Sequence, residues 1–231
     1  MASWDCLVVD DEELLLSTTT EFFNLMGIKA AGVTSAEMCC RFLEANRVRL
    51  IVLDINLIDR SGFDLCAEIR RTSDVPILFL SARSSDDDKI AAYALGGDDY
   101  IQKPCALTIL AAKVKAVLRR YSGPAEHELR PAHYQDEHLE VDPKKHEVRV
   151  DGMVRKLTPT EFRILVCLVE RANCIVTKEE LFDTVWGDPV TSDAALSVHM
   201  SHLRRQIERD PSHPMYLVTV HGAGYKFVSA C

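Results

Sequence analysis

Asp10, Asp11, Asp54, Ser81 and Lys103 are side chains that together can do chemistry on phosphorus, and their spacing brings them to one place. Each sits at or just after the end of an apolar, strand-like run: residues 6–9, 50–53, 77–80 and 99–101, with a further run at 28–33. In an open doubly wound sheet, ligands bind beyond the carboxyl ends of the strands. Three carboxylates, a hydroxyl and a lysine thus collect at one rim from four strands. At an effective dielectric near 20, two carboxylates about 5 Å apart repel by roughly 3 kcal/mol, so the cluster needs a cation. An all-oxygen site with room for water suits Mg²⁺ better than zinc or copper. A metal held beside a further aspartate prepares that aspartate for attack on phosphorus, with the metal and a lysine neutralising the incoming oxygens.

The elements that must position these groups are legible. Helical periodicity occupies 13–26, 36–45, 63–71, 87–95 and 107–121. Alternation of strands and helices argues for an α/β doubly wound parallel five-stranded domain at 3–121. The uninterrupted apolar run Leu50-Ile51-Val52-Leu53 fits a strand covered on both faces. Residues 122–137 lose the periodicity, and 122–132 read as a linker rich in turn formers. Alternating segments near 138–141, 147–150 and 153–157, with a turn at Asp151-Gly152, predict a small antiparallel sheet. Thr158, Pro159 and Glu161 form a helix-start signature. Helices at 160–172, 178–186 and 193–209 and a hairpin at 216–220 and 225–228 complete an α+β domain at 133–230.

Composition agrees with two globular domains. The 231 residues are 47% hydrophobic and 27% charged, near the averages for such proteins. No apolar run approaches the roughly 20 residues of a membrane helix, and no export signal is visible, so the expected location is cytoplasmic. The eight cysteines show no CxxC and no metal-ligand spacing, and read as buried thiols of a reducing compartment. Net charge is −8. Residues 1–122 carry 18 acids and 14 bases, and 123–231 carry 17 and 13, a balance of −4 in each half. Any contact with nucleic acid must therefore rest on a local patch.

Four segments of the first half, Val8-Val9-Asp10-Asp11-Glu12, Val52-Leu53-Asp54, Leu80-Ser81-Ala82 and Gly97-Asp98-Asp99-Tyr100-Ile101-Gln102-Lys103-Pro104, resemble the receiver domains of two-component response regulators. The resemblance implies that Asp54 accepts a phosphoryl group from a sensor histidine kinase. It implies that Asp10, Asp11, Asp54 and the backbone carbonyl of Asn56 hold Mg²⁺, and that Lys103 pairs with the phosphate. Ser81 takes the switch hydroxyl position, Tyr100 is the reporting aromatic, and Lys103-Pro104 is a cis peptide. Asn56 and Arg83 stand where the phosphoryl lifetime is tuned. Two positions depart from the pattern: Cys105 replaces a common phenylalanine, and Ser61 replaces a common acid. Cys105 invites the thought of an oxidation sensor, but nothing in the sequence lowers its pKa.

The second half resembles the winged helix-turn-helix domain of the OmpR/PhoB family through Leu157-Thr158-Pro159-Thr160-Glu161-Phe162, Leu181-Phe182-Asp183-Thr184-Val185-Trp186-Gly187, Val198-His199-Met200-Ser201-His202-Leu203-Arg204-Arg205 and Val220-His221-Gly222-Ala223-Gly224-Tyr225-Lys226-Phe227. Ala195, Val198, Leu203 and Ile207 give one helix an apolar stripe. His199, His202, Arg204, Arg205 and Arg209 fall elsewhere on it, and such a helix fits a major groove. Residues 194–231 carry four bases and two acids, a local excess of positive charge. Trp186 and Thr191 are expected to touch the DNA backbone, and His221, Tyr225 and Lys226 belong to the wing. Histidines at 202 and 221 stand where arginines are common, so affinity for promoter double-stranded DNA is expected to rise as pH falls through about 6.5.

The resemblance further implies a homodimer on phosphorylation, through the fourth helix, fifth strand and fifth helix, with RNA polymerase as a possible further partner. Asp99 and Arg120 match one ionic pair of that face. Lys89 and Lys113 are present, but their expected acidic partners are Ile109 and Leu95, so the expected dimer is either weak or held by apolar contacts. Two other readings exist. A metal-dependent phosphatase working through an aspartyl-phosphate wants a second Asp two residues after the nucleophile, where this chain has Asn56. A regulator that ignores phosphate would show a lost acid pair or lysine, and both survive.

Overall fold

A computed structural model describes residues 2–83, 85–120, 133–187 and 193–229. The chain divides into two compact units, 1–124 and 125–231. Thr191 and the 122–132 linker lie outside the described residues.

In the first unit, β2 (Cys6–Val9), β3 (Ala30–Val33), β5 (Ile51–Asp54), β6 (Ile77–Ser81) and β7 (Asp99–Gln102) form a parallel sheet in the order β3-β2-β5-β6-β7. Helices α1 (Glu13–Leu25), α2 (Ala36–Ala45), α3 (Gly62–Thr72), α4 (Asp86–Ala94) and α5 (Leu107–Arg120) connect the strands. This is the doubly wound sheet the alternation predicts. Strand order reverses between β2 and β5, which opens the ligand crevice beside their ends. The central strands are apolar on both faces, and Leu7, Val9, Ile51, Leu53, Ile77 and Phe79 are fully buried. Each large apolar side chain so buried contributes roughly 1.5–3 kcal/mol.

Register places the strand ends together. Val9 pairs with Leu53, Asp54 with Leu80 and Ser81 with Gln102. Arg70, in α3, fixes the far side by donating to the Gly96 and Val75 carbonyls and to Asp98 at 2.9 Å. Asp98 also accepts the Ile77 N–H, so this buried ion pair joins α3, β6 and the approach to β7. A short parallel ladder, β1 (Ala2–Trp4) with β4 (Asn46–Val48), extends the unit beyond what the apolar runs suggest.

In the second unit, β8 (Tyr134–Gln135), β9 (Leu139–Asp142), β10 (Glu147–Val150) and β11 (Met153–Arg155) form an antiparallel sheet. Helix α6 (Pro159–Glu170) begins with a complete capping box between Thr158 and Glu161, worth about 1 kcal/mol. Next come β12 (Ile175–Thr177), α7 (Lys178–Leu181), a π-helical turn over Phe182–Trp186 and α8 (Asp193–Ile207). The hairpin β13 (Leu217–Val220) and β14 (Gly224–Phe227) closes a three-stranded sheet in the order β12-β14-β13. One core joins Leu165, Leu168, Leu181, Trp186, Leu196, Leu203 and Phe227.

Candidate phosphoacceptor pocket and DNA-facing surface

The β2, β5, β6 and β7 ends bring the expected groups together. Asp10 and Asp54 are almost fully buried, and Ser81 is fully so. Lys103 Nζ donates to Asp10 Oδ2 at 2.8 Å and to Asp54 Oδ2 at 2.5 Å. The other carboxylate oxygens are held by backbone: Asp10 Oδ1 accepts the Glu12 N–H and Asp54 Oδ1 accepts the Asn56 N–H, both at 3.0 Å. Burial works against the Lys103 charge, but the hydrogen bonds and charges of Asp10 and Asp54 outweigh it and raise its pKa above the ordinary value. The ammonium therefore stays charged. Lys103-Pro104 is cis, as expected.

Asp10, Asp11 and Asp54 each offer an oxygen within 4.8 Å of the others. This donor set is oxygen only, and three carboxylates against one lysine leave two negative charges for a hard divalent cation. The residues present fit Mg²⁺.

Beside the pocket, the Tyr100 hydroxyl donates to the Arg83 carbonyl at 2.6 Å, and its ring is buried. Burial raises the Tyr100 pKa, with a hydrogen bond to Ser81 acting the other way. Arg83 donates twice to Asn56 Oδ1, at 3.0 and 3.1 Å, and pairs with Asp88. This link across the pocket mouth has no signal in sequence spacing. Ser61 caps α3, and burial pushes the Cys105 thiol up, against the reactive-thiol idea.

Gly62 packs on the back of Asp54. A Cβ there would lie 2.1 Å from the Asp54 carbonyl oxygen and 2.9 Å from Ile55 Cα. Gly62→Ala must displace the strand end, so we expect a loss of roughly 1–3 kcal/mol and slower phosphoryl uptake. An unchanged melting temperature and uptake rate would contradict this.

On the proposed dimer face, Lys113 pairs with Asp99 at 3.3 Å and Lys89 with Asp86 at 3.4 Å, both within the unit. Ile109 and Leu95 are both exposed. The side chain of Arg120 is outside the described residues.

The surface expected to face DNA needs correction. Trp186 is 2% exposed, packed against Phe182 and His199, so its side chain offers little surface for the expected backbone contact. His199 and Tyr225 are also buried. The α8 core stripe is Ala195, Leu196, His199, Met200, Leu203 and Ile207, and Val198 is only half-buried. His199, polar by type but buried, turns the core face away from the expected one. Arg204 donates to the Leu217 carbonyl at 2.9 and 2.6 Å and to Thr219 Oγ1 at 2.8 Å, so it serves the wing. Arg209 is exposed and reaches His138 Nδ1 at 3.4 Å. The outward stripe is Ser197, Ser201 and Arg205, flanked by Ala194, Val198 and His202, with His221 exposed at the wing tip and Lys226 half-buried.

His202 Nδ1 lies 3.3 Å from Glu161 Oε1. Burial opposes the Glu161 charge, but His202 and the Thr158 N–H outweigh it and lower its pKa below the ordinary 4.5. A depressed carboxyl stabilises the fold above its unfolded pKa, and that contribution is lost as pH falls through the folded one. Glu161→Gln keeps a capping partner but no charge. It should lower the melting temperature of the second unit by a few degrees at pH 7 and hardly at all near pH 3. Equal losses at both pH values would contradict this.

Residues 6–115 match the response regulator receiver domain family, and residues 152–227 match the C-terminal domain of transcriptional regulatory proteins. The chain is 37% identical over 230 residues to the transcriptional regulatory protein YvrH of Bacillus subtilis, covering 99% of this chain and 97% of that one. It is 35% identical over 221 residues to the sensory transduction protein RegX3 of Mycobacterium tuberculosis, covering 95% and 97%. Among solved structures, the Thermotoga maritima OmpR/PhoB homologue DrrB matches with a TM-score of 0.51 and 31% identity, covering 98% of this chain and all of that one. No helix among the described residues is long and apolar enough to cross a membrane. The chain belongs to the two-component response regulators of the OmpR/PhoB type, with a receiver domain and a winged-helix DNA-binding domain that regulates transcription.

Proposed function

We propose that Asp54 is the phosphoacceptor and that its phosphorylation by a sensor histidine kinase controls promoter binding. The carrying observation is a buried aspartate at a strand end, 2.5 Å from a lysine, with two further carboxylates beside it. Asp10, Asp11, Asp54 and the Asn56 carbonyl are the residues that would hold Mg²⁺. The ion, when bound, supplies positive charge to the oxygens of the transferring group. An Asp54 oxygen forms the new bond to phosphorus as the bond from phosphorus to the kinase histidine nitrogen breaks, and that nitrogen keeps the electron pair. Lys103 already stands on the oxygen side of Asp54 and neutralises the added charge.

The acyl phosphate brings nearly two negative charges to Asp54. Ser81 and Tyr100 are the adjacent groups that respond, and α4, β7 and α5 form the face through which two copies pair. With Lys89, Asp99 and Lys113 paired inside one unit, Ile109 and Leu95 favour an apolar contribution. α8, led by Arg205, lies in the major groove, and His221 and Lys226 bring the wing to the backbone. RNA polymerase is the partner such a bound dimer would engage.

The test is anisotropy on a DNA duplex selected by this chain from a random pool. A small phosphodonor with Mg²⁺ should tighten binding and move the chain toward dimer in sedimentation. Unchanged affinity and a strict monomer at high concentration would overturn the proposal.

A further inference from the structure

The junction between the reading helix and the wing contains a buried acid that DNA binding does not explain. Glu208 follows α8 directly, its N–H still bonded to the Arg204 carbonyl. It is 8% exposed and sits at a helix C-terminus, where the macrodipole disfavours negative charge. Its oxygens accept three consecutive backbone N–H groups, from Met215 at 2.8 Å, Tyr216 at 3.0 Å and Leu217 at 2.7 Å. One turn earlier, Arg204 donates to the carbonyl of the same Leu217 and to Thr219.

Among the described residues, β13 is an edge strand paired only with β14. Leu217 is fully buried and turns both backbone groups toward α8, where water cannot serve them. Two side chains four residues apart, on one helix face, satisfy both. Charge-assisted hydrogen bonds of this kind are the strong ones.

We infer that Arg204 and Glu208 form a clamp that fixes the wing against the reading helix, making both positioning residues for DNA recognition. This rests on the reading that α8 and the hairpin bind DNA. The clamp makes helix and wing one rigid reader, so that a major-groove contact and a wing contact fall in a single register. It also gives the acid beside the reading helix a structural role.

The experiment compares the full chain with Glu208→Gln, Arg204→Met, Arg204→Lys and the Glu208→Gln/Arg204→Met pair. Each is titrated against the selected duplex and a random-sequence duplex of equal length. Electrostatics alone predicts tighter binding on loss of the Glu208 charge. The clamp predicts the opposite sign: affinity for the selected duplex falls about tenfold or more in each single variant, while random-duplex affinity stays within about threefold. The pair should be little worse than the worse single variant, because both break one device. Arg204→Lys keeps the charge but not the fork and should show the same loss with an unaltered salt slope. Amide exchange should quicken at Met215, Tyr216 and Leu217 while α6 stays protected, which separates a released wing from an unfolded domain. Glu208→Gln binding the selected duplex as tightly as the unaltered chain would overturn the clamp. So would Arg204→Met weakening both duplexes alike with a salt slope lower by about 0.9, the mark of a lost phosphate contact. If the unaltered chain selects no sequence at all, the DNA reading itself fails, and this role with it.

Discussion

Lys103→Met is expected to lower the melting temperature of the receiver by roughly 10 °C or more in Mg²⁺-free buffer, with part of the loss restored by added Mg²⁺. The lysine side chain is 15% exposed and bridges two carboxylates that are 2% and 7% exposed. Removing one partner of a buried ion pair strands the other, at a cost of about 3–5 kcal/mol. For a domain near this size each kcal/mol moves the midpoint by a few degrees. Here two carboxylates face each other once the ammonium is gone, so the repulsion adds to the desolvation. A divalent cation supplies the missing charge without the lysine geometry, hence partial rescue. Scanning calorimetry with and without Mg²⁺ checks this. A variant as stable as the unaltered chain in chelator would mean that the pocket is solvated and its charges unstrained.

Asp54→Asn should abolish the response of DNA affinity to phosphodonor while leaving basal binding intact. Asn is close to Asp in shape and can still accept the Asn56 N–H, so the strand end should keep its form. In the unaltered chain the response should be tenfold or more, the scale on which joining two binding modules raises affinity. In the variant it should vanish. Retention of the full response would place the acceptor elsewhere or make phosphate irrelevant to DNA binding.

The pocket was legible in the sequence for a physical reason. Strands of a parallel sheet are buried on both faces, so their ends are marked where apolar runs stop, at Asp10, Asp54, Ser81 and after Gln102. The short ladder of Ala2–Trp4 with Asn46–Val48 was not, because it rests on backbone pairing with no apolar pattern. β8 shares that cause, and β12 is a run of only three residues. The side expected to face DNA differs from the structure where a polar type stands on a buried face. His199 belongs to the α8 core, and Trp186 is packed beneath it. Arg204 and Glu208 were the least legible, since their partners are the Thr219 hydroxyl and backbone groups of β13 and the turn before it, and spacing carries no trace of them.

Phosphorylation of the buried Asp54 is the central proposal. Intact-mass measurement after treatment with a small phosphodonor and Mg²⁺, followed by reductive trapping and peptide mapping, tests it most directly. The expected result is one added phosphoryl group, dependent on Mg²⁺ and mapped to Asp54. A chain that gains no mass, or gains it at another residue with Asp54 unmodified, would contradict it.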